Sequence, residues 1–289
     1  MINGGTGLVG LLGHPVKHSL SPVMHNAALQ AMERNWRYLA LPCSEERLAA
    51  VLEGLHAVGC HGLNVTIPHK QTVAALCRDL SPLAQRLGAV NTLIPRDDGG
   101  WHGHNTDVEG FLAPLGARDN WAGRHAVVIG YGGSAKAVVA GLQSLNLATI
   151  TLVGRRATGL DGFLKGMATA DAPLRSCLDS DPALTTAIAH ADLIVNTTPV
   201  GMNQHDEAGA IPLGKELWTQ LPTQATLYDL IYTPRPTPWL QYGHGRGHRC
   251  IDGLEMLVQQ GAASLRLWSH SDTVPVETMR SAAEAALKP

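Results

Sequence analysis

Short apolar runs alternate with amphipathic segments along the whole of this chain of 289 residues. Runs rich in valine, isoleucine and leucine are typical of buried strands, and the segments between them have the period of helices. The predicted strands cover residues 7–13, 36–41, 62–67, 89–94, 101–104, 126–129, 149–153, 191–196 and 225–231. The predicted helices cover residues 22–34, 44–58, 69–78, 82–87, 108–115, 135–145, 254–267 and 271–287. Strands that alternate with helices predict an α/β fold in both halves of the chain.

The stretch from residue 125 to residue 156 carries the strongest local pattern. The strand Ala126–Ile129 is followed by Gly130, Gly132 and Ala135 in the spacing G-x-G-x-x-A. The first glycine permits a tight turn, the second lets the backbone approach a pyrophosphate, and the small third residue lets the helix pack on the strand. The helix that follows directs free N–H groups and its positive dipole end toward phosphates. The pattern therefore predicts a dinucleotide-binding domain of the Rossmann type.

The end of the next strand indicates which dinucleotide binds. An NAD site would carry Asp or Glu there, to accept a hydrogen bond from the ribose 2′-hydroxyl. This chain has Arg155 and Arg156 instead, directly after Gly154. Two guanidinium groups suit a 2′-phosphate, so the sequence predicts NADP as the cofactor.

Polar residues interrupt the apolar strands of the first hundred residues. In open α/β sheets, ligands bind at the carboxyl ends of strands, and neutral hydroxyls and amides there favour a small polyhydroxylated ligand. Each residue taken alone could instead be a turn or cap residue, and Ser21 before Pro22 has the pattern of a helix N-cap. The polar residues concerned are Ser19, Ser21, Asn64, Thr66, Asn91 and Thr92.

Lys70 and Asp107 are the candidates for acid/base chemistry. Lys70 lies two residues after Pro68, in the first turn of a predicted helix, where a cation opposes the helix dipole at a cost of a few tenths to about 1 kcal/mol. Proton transfer to a substrate is one reason for a lysine in that position, and Asp107 is its natural partner. From the residues alone, a solvated surface lysine and an aspartate that caps the helix 108–115 remain the alternatives.

The composition excludes several classes of protein. A hydrophobic content of 45% and a charged content of 16% are enough for a buried core. A net charge of −2 and an aromatic content of 4% give no reason to expect nucleic acid or a membrane as a partner. The five cysteines include no C-x-x-C pair, and no histidine cluster is completed by cysteines or acids, so we expect reduced thiols and no metal. With neither a signal peptide nor a membrane span in the pattern, we expect a cytoplasmic protein.

Eight motifs, taken in order, span nearly the whole chain. Together they are highly specific, although the glycine-rich loop alone is weak evidence. The motifs are GHPVKHSLSPVMHNAA at 13–28, NVTIPHK at 64–70, GAVNTL at 88–93, HNTDVEGF at 104–111, GYGGSAKA at 130–137, NTTPVGM at 196–202, YDLIYTPRPTPWL at 228–240 and DGLEMLVQQGA at 252–262. In this order they resemble the motifs of the shikimate dehydrogenase family.

The resemblance implies a fold and an activity. It implies an α/β protein of two domains, in which a Rossmann-type NADP-binding domain (107–253) is inserted in a catalytic domain (1–106 with 254–289) that has a mainly parallel sheet. It implies an NADP-dependent oxidoreductase acting on a CH–OH group. The reaction is the reversible reduction of 3-dehydroshikimate to shikimate with NADPH, in the pathway to chorismate and the aromatic amino acids. A homodimer is left open.

The resemblance also implies roles for individual residues. Lys70 would transfer the proton, and Asp107 would orient and polarise Lys70 and the reacting oxygen. The residues implied to bind the substrate are Ser19, Ser21 and Tyr232 for the carboxylate, and Asn64, Thr66, Asn91, Asp107 and Gln260 for the ring hydroxyls. The residues implied to bind the cofactor are Gly130, Tyr131, Gly132, Gly133, Ser134, Arg155, Arg156, Thr197, Met202, Leu230 and Gly253.

Two positions depart from the family pattern. The family commonly has Asn-Arg-Thr where this chain has Gly154-Arg155-Arg156, and a small residue where it has Tyr131. Three other functions stay open. One is a quinate/shikimate dehydrogenase of broader specificity, against which the two arginines argue. Another is a related two-domain dehydrogenase such as a methylenetetrahydrofolate enzyme, and the third is a non-catalytic NADP-binding sensor.

Overall fold

The computed structural model describes residues 2–116, 120–168, 173–202 and 210–287. The chain forms two compact units, the first made of residues 1–110 and 257–289 and the second of residues 111–256. Each unit contains one six-stranded sheet with helices, which confirms the α/β fold class. The second unit is thus inserted in the sequence of the first.

The sheet of the first unit is mainly parallel. Its strands are β1 (Gly7–Gly13), β2 (Trp36–Pro42), β3 (Gly62–Val65), β4 (Asp79–Leu80), β5 (Thr92–Pro95) and β6 (Trp101–His104), in the order β2-β1-β3-β5-β6-β4. Only β5 runs against its neighbours. The reversal follows from a tight hairpin between β5 and β6, in which Gly99 and Gly100 have φ values of +97° and +77°. Glycine adopts such values at no steric cost.

Seven helices accompany this sheet in the described part of the chain, and the boundaries between the units fall within α5 and α10. Apolar side chains of the sheet and of α2 and α3 form one core, in which Leu12, Leu48, Leu63, Val73 and Leu93 are fully buried. Burial of such side chains is the main contribution to stability. The helices are α1 (Ser21–Ala31), α2 (Leu48–Ala57), α3 (Lys70–Leu76), α4 (Pro82–Leu87), α5 (Asp107–Leu112), α10 (Gly253–Ser269) and α11 (Val276–Leu287).

The second unit has the doubly wound topology. Its strands are β7 (His125–Ile129), β8 (Thr149–Gly154), β9 (Leu174–Leu178), β10 (Leu193–Asn196), β11 (Thr226–Asp229) and β12 (Arg249–Ile251), and its other helices are α6 (Gly133–Gln143), α7 (Ala157–Met167), α8 (Ala183–Ala189) and α9 (Pro238–His244). The strand order is β12-β11-β10-β7-β8-β9, and every pair is parallel. The order reverses at β7, so the loop from β7 to α6 lies at the switch point where open α/β sheets bind ligands.

Some predicted bounds near the candidate site are wrong. The predicted strand 89–94 begins only at Thr92. The Val90 N–H donates to the Lys70 carbonyl at 2.9 Å, so this residue does not take part in the hydrogen bonds of the sheet. Helix α6 begins at Gly133 rather than Ala135. The short edge strands β4, β9 and β12 were not predicted, since β4 and β12 have only two and three residues and β9 has one buried residue.

Candidate active site

A lysine and an aspartate form an ion pair in the first unit. Lys70 begins α3 and Asp107 begins α5. The Lys70 Nζ donates to Asp107 Oδ2 at 2.7 Å, and the two side chains are 23% and 12% exposed. Asp107 is the first residue of α5 rather than the residue before it, and its two carboxylate oxygens accept from the side chains of Lys70 and Asn91. The carboxylate is therefore available to the lysine, and the capping alternative for Asp107 is wrong.

Asn91 holds the other oxygen of this carboxylate. Its Nδ2 donates to Asp107 Oδ1 at 2.9 Å and to Gln260 Oε1 at 3.2 Å. Its Oδ1 accepts from the Thr106 N–H at 2.8 Å. Gln260 in turn donates from Nε2 to the Leu257 carbonyl at 2.8 Å. The buried amide of Asn91 thus fixes the orientation of both Asp107 and Gln260.

A cluster of buried hydroxyls adjoins Asn91. Thr92 Oγ1 donates to Asn91 Oδ1 at 2.9 Å and lies 2.8 Å from Ser264 Oγ. Thr106 Oγ1 is 3.2 Å from the same Ser264 oxygen, and Asn64 Nδ2 donates to it at 2.8 Å. Ser264, on α10, therefore connects the polar residues at the ends of β3 and β5. A buried polar network of this kind is rigid when every member is satisfied.

Asn64 uses both ends of its amide within this cluster. While its Nδ2 donates to Ser264, its Oδ1 accepts from the Tyr38 hydroxyl at 2.8 Å. Burial raises the pKa of the Tyr38 hydroxyl, so it stays a donor, and a hydrogen bond with the Ser21 side chain has the opposite effect. Asn64 is only 4% exposed. Its remaining capacity toward a ligand is one lone pair of Oδ1.

The serines of the turn after β1 lie side by side. The Ser21 N–H donates to Ser19 Oγ at 3.2 Å. Ser21 begins α1, and the preceding Leu20 provides no side-chain cap, so the N-cap prediction for Ser21 is wrong. Its hydroxyl is thereby free of the capping role. Thr66, at the end of β3, is half-buried, and its N–H donates to the Leu12 carbonyl at 2.9 Å.

The second unit contains the predicted phosphate-binding loop. Gly130 has φ +102°, and a Cβ there would lie 2.6 Å from Thr197 Oγ1, so both the backbone and the space require glycine. The Thr197 hydroxyl donates to the Ile129 carbonyl at 2.8 Å, which ties this loop to the end of β10.

The outer side of the same loop is open. A Cβ on Gly132 or Gly133 would meet no atom within 4 Å, and no side chain caps the start of α6. Ser134 is half-buried in the first turn. Free N–H groups with room in front of them fit the pyrophosphate of a dinucleotide.

Two exposed arginines follow β8. Arg155 comes directly after the strand, and Arg156 is the N-cap residue of α7. Within the described ranges, neither guanidinium forms an ion pair, and the first turn of α7 carries no acid. This positive end of the second strand fits a 2′-phosphate.

Gly253 is a further point where only glycine fits. A Cβ there would lie 1.9 Å from the Leu230 carbonyl oxygen, and the Gly253 N–H donates to the Ile231 carbonyl at 3.1 Å. The Met202 N–H donates to the Pro199 carbonyl at 3.0 Å. Tyr232 is half-buried in this unit, and burial raises the pKa of its hydroxyl.

The described ranges contain no candidate metal site and no candidate membrane span. No group of three or more His, Cys, Asp and Glu side chains there could hold a metal ion. Neither does any helix in them have the length and the apolar character needed to cross a membrane.

Comparison with known proteins identifies the family. The model of the shikimate dehydrogenase substrate binding domain matches residues 11–93, and that of the shikimate 5′-dehydrogenase C-terminal domain matches residues 253–284. The shikimate dehydrogenase (NADP(+)) of Synechocystis sp. is 51% identical over 284 residues, which cover 97% of this chain and 96% of the relative. This chain belongs to the shikimate dehydrogenase family.

Solved structures agree with that membership. The shikimate 5-dehydrogenase of Thermus thermophilus, in complex with NADP(H) and shikimate, has a TM-score of 0.85 and 33% identity, and 98% of this chain and 100% of that chain are covered. The 5-ketofructose reductase of Gluconobacter has a TM-score of 0.87 at 27% identity, over 98% of this chain and 99% of that one. Because enzymes with different substrates share this fold, the substrate must be argued from the site.

The structure adds residues to this family's predicted site. Ser264, Thr106 and Tyr38 belong to the buried network, but none was predicted as a site residue. One sequence signal was available for Ser264, which lies one helical turn after Gln260 and on the same face of α10. Tyr38 has no such signal, because its hydroxyl meets Asn64 only when β2, β1 and β3 are assembled.

Proposed function

We propose that this chain catalyses the reversible NADPH-dependent reduction of 3-dehydroshikimate to shikimate. The observation that carries the proposal is the pair formed by Lys70 and Asp107, 2.7 Å apart and held by Asn91. Family membership supports the reaction, and NADP and shikimate are bound in the related Thermus enzyme. The reaction is the step that yields shikimate on the way to chorismate and the aromatic amino acids.

Lys70 is the proton donor in this proposal. When the ketone is reduced, Nζ gives its proton to the carbonyl oxygen that becomes the hydroxyl, and when shikimate is oxidised the neutral amine takes it back. Asp107 Oδ2 holds the amine, and Asn91 prevents that carboxylate from turning away. NADPH, when bound, supplies the hydride to the carbonyl carbon. The chain has only to orient the groups and to move the proton.

Apart from the carboxylate of Asp107, neutral donors and acceptors recognise the substrate. We assign the carboxylate to the hydroxyls of Ser19 and Ser21 and to Tyr232, since serine and tyrosine hydroxyls donate to carboxylates without an opposite charge. The amide of Gln260, fixed by Asn91, is oriented before the substrate arrives. The other residues assigned to the ring hydroxyls are Asn64, Thr66, Asn91 and Asp107.

The cofactor belongs to the second unit in this proposal. The open start of α6 receives the pyrophosphate, with the N–H groups from Gly132 to Ser134 as donors, and the arginines receive the 2′-phosphate. Gly130 shapes the turn, and its own N–H donates to the Val153 carbonyl at 2.9 Å. Gly253 and the loop around Leu230 are closely packed, which suits the positioning of a planar ring. The further residues assigned to the cofactor are Tyr131, Thr197 and Met202.

The division of labour between the units follows from these assignments. We propose that residues 1–106 with 254–289 form the substrate-binding domain and residues 107–253 the NADP-binding domain, with Asp107 and Tyr232 as the substrate residues outside the first range. The compact units of the structure, 1–110 with 257–289 and 111–256, support that proposal. A homodimer and a cytoplasmic location stay predictions.

Oxidation of shikimate by the purified protein tests the proposal. We expect NADP+ to be reduced in the presence of shikimate, and Lys70→Ala to lower kcat by about 10²–10⁴-fold because the positioned proton acceptor is lost. Lys165→Ala, at an exposed position of α7, is the matched control and should leave the rate unchanged. Parallel assays contain quinate in place of shikimate, or NAD+ in place of NADP+.

Each other outcome points to a different function. Faster turnover with quinate or NAD+ would indicate a dehydrogenase of broader specificity. Tight binding of NADPH without turnover of either substrate would indicate a sensor. Full activity of Lys70→Ala would remove Lys70 from the chemistry.

A further inference from the structure

Two glycines of the second unit are required by the side chain of Tyr131. A Cβ on Gly154 would lie 2.4 Å from Tyr131 Cε1, and a Cβ on Gly159 would lie 2.5 Å from Tyr131 Cε2. Neither glycine has a positive φ, so the backbone would accept another residue at both positions. The aromatic ring is what excludes a side chain there, because its two long edges contact the two Cα positions.

The ring joins the phosphate-binding loop to the basic end of β8. Tyr131 follows Gly130 in the loop, whereas Gly154 ends β8 and Gly159 lies in the first turn of α7. The ring therefore fills the space between the loop and α7 and leaves the open side of Gly132 and Gly133 free. The two departures from the family pattern, at residues 131 and 154, thus meet at one place.

The hydroxyl of Tyr131 lies near a segment that carries two arginines and no acid. A Cβ on Gly159 would be 3.0 Å from Tyr131 Oη, so the hydroxyl is beside the first turn of α7. That turn contains no acid and no side-chain cap, and Arg155 and Arg156 directly precede it. The hydroxyl has no hydrogen-bond partner within the described residues, and Tyr131 is only half-buried. A neutral donor therefore lies beside a helix start that follows two arginines and carries no acid.

We infer that Tyr131 determines specificity for the 2′-phosphate of NADP, with its hydroxyl as a hydrogen-bond donor to the phosphate and its ring as the surface that supports the ribose. The inference rests on the proposed function, since it concerns the cofactor of the same reaction. Gly154 and Gly159 take part by leaving room for the ring. Here a tyrosine hydroxyl supplies a polar contact at the end of β8 that no side chain of residue 154 can supply.

Titration calorimetry of NADP+ and NAD+ binding, in the absence of shikimate, tests the role of the Tyr131 hydroxyl. Tyr131→Phe removes only the hydroxyl oxygen. We expect the dissociation constant of NADP+ to rise by about tenfold, since a hydrogen bond to a charged group is lost. The dissociation constant of NAD+ should change by less than about twofold. An unchanged ratio of the two dissociation constants would overturn the role of the hydroxyl. If the wild-type protein bound no NADP+, the proposed function would fail as well, whereas normal NADP+ binding by both proteins would refute this inference alone.

A double-mutant cycle tests the ring. Gly154→Ala should lower the thermal midpoint and weaken NADP+ binding, because the new Cβ collides with the ring. Tyr131→Ala combined with Gly154→Ala should recover the midpoint of Tyr131→Ala alone. Gly162→Ala, on α7 with no atom within 4 Å of the added Cβ, is the matched control and should be tolerated. A Gly154→Ala protein with the wild-type midpoint and wild-type NADP+ affinity would show that the ring does not require glycine.

Discussion

The two units organise their polar groups in opposite ways. In the first unit, Asn64, Asn91 and Asp107 are buried, and protein partners already occupy most of their hydrogen-bonding capacity. In the second unit, the open start of α6 and the two arginines after β8 face solvent without protein partners in the described ranges. A ring with several hydroxyls must be read by groups with fixed directions, whereas a phosphate is attracted by charge and by any correctly spaced N–H group.

This difference has an energetic consequence. A satisfied buried network is rigid, and removal of one member leaves the others unpaired at about 1–3 kcal/mol for each buried group. Exposed charges contribute less, are screened by salt, and tolerate substitution. We therefore expect changes in the first unit to affect both stability and turnover, and changes at the arginines to affect only cofactor affinity.

After Lys70→Ala, the largest effect is expected from Asn91→Ala. The substitution leaves Asp107 Oδ1, the Thr106 N–H and Gln260 Oε1 without their partner. We expect kcat/KM for shikimate to fall by about 10–150-fold, the value of a hydrogen bond to a charged group, together with a lower free energy of unfolding. Steady-state kinetics and urea denaturation measure the two effects. Asn35→Ala, at an exposed position, is the control, and a variant with normal kinetics would show that Asn91 does not hold the carboxylate.

Sequence reasoning was most successful where the pattern is local. The loop from Gly130 to Gly133 could be predicted because strand, turn and helix follow one another within a few residues. Lys70 and Asp107 were both predicted and Asp107 was named as the partner of Lys70, but 37 positions separate them, so a surface lysine and a helix cap stayed open as alternatives until the family resemblance was considered. Ser264 lies 200 positions from Asn64, and its role depends on how α10 packs on the sheet. Helical spacing places Ser264 on the same face of α10 as Gln260, but a single sequence contains no signal for its contact with Asn64, so the connections of the network could not be predicted.

The effect next in size concerns pH and a histidine of the first unit. His25 is fully buried, with Nδ1 2.9 Å from the Ser21 carbonyl and Nε2 3.2 Å from that of Gly261, and burial lowers its pKa from 6.5 to about 4. Above pH 6.5 the ring is neutral in both states. Between pH 6.5 and about 4 only the unfolded chain takes up the proton, so the folded state loses up to about 3 kcal/mol across that window.

Urea denaturation at several pH values measures this loss, and His25→Gln should remove it. His190→Gln, at an exposed position, is the control. Desolvation raises the pKa of the buried Asp229 carboxyl to about 6. Its titration changes stability in the direction opposite to that of His25, and it does so equally in wild type and variant. Only the difference in stability between the two proteins is therefore used. If that difference is the same at pH 7 and pH 4, His25 does not titrate as inferred.

The smallest effect is expected from salt at the arginines of the second unit. Arg155 and Arg156 are exposed, so their attraction for a 2′-phosphate is screened within about 8–10 Å at moderate ionic strength. We expect the dissociation constant of NADP+ to rise by about fivefold between about 0.05 M and 0.5 M NaCl. The KM for shikimate, which neutral hydroxyls and fixed amides determine, should change by less than about twofold. The double variant Arg155→Gln/Arg156→Gln should bind NADP+ weakly at every salt concentration. An equal salt dependence of NADP+ and shikimate binding would contradict the contrast between the exposed arginines of the second unit and the buried polar network of the first.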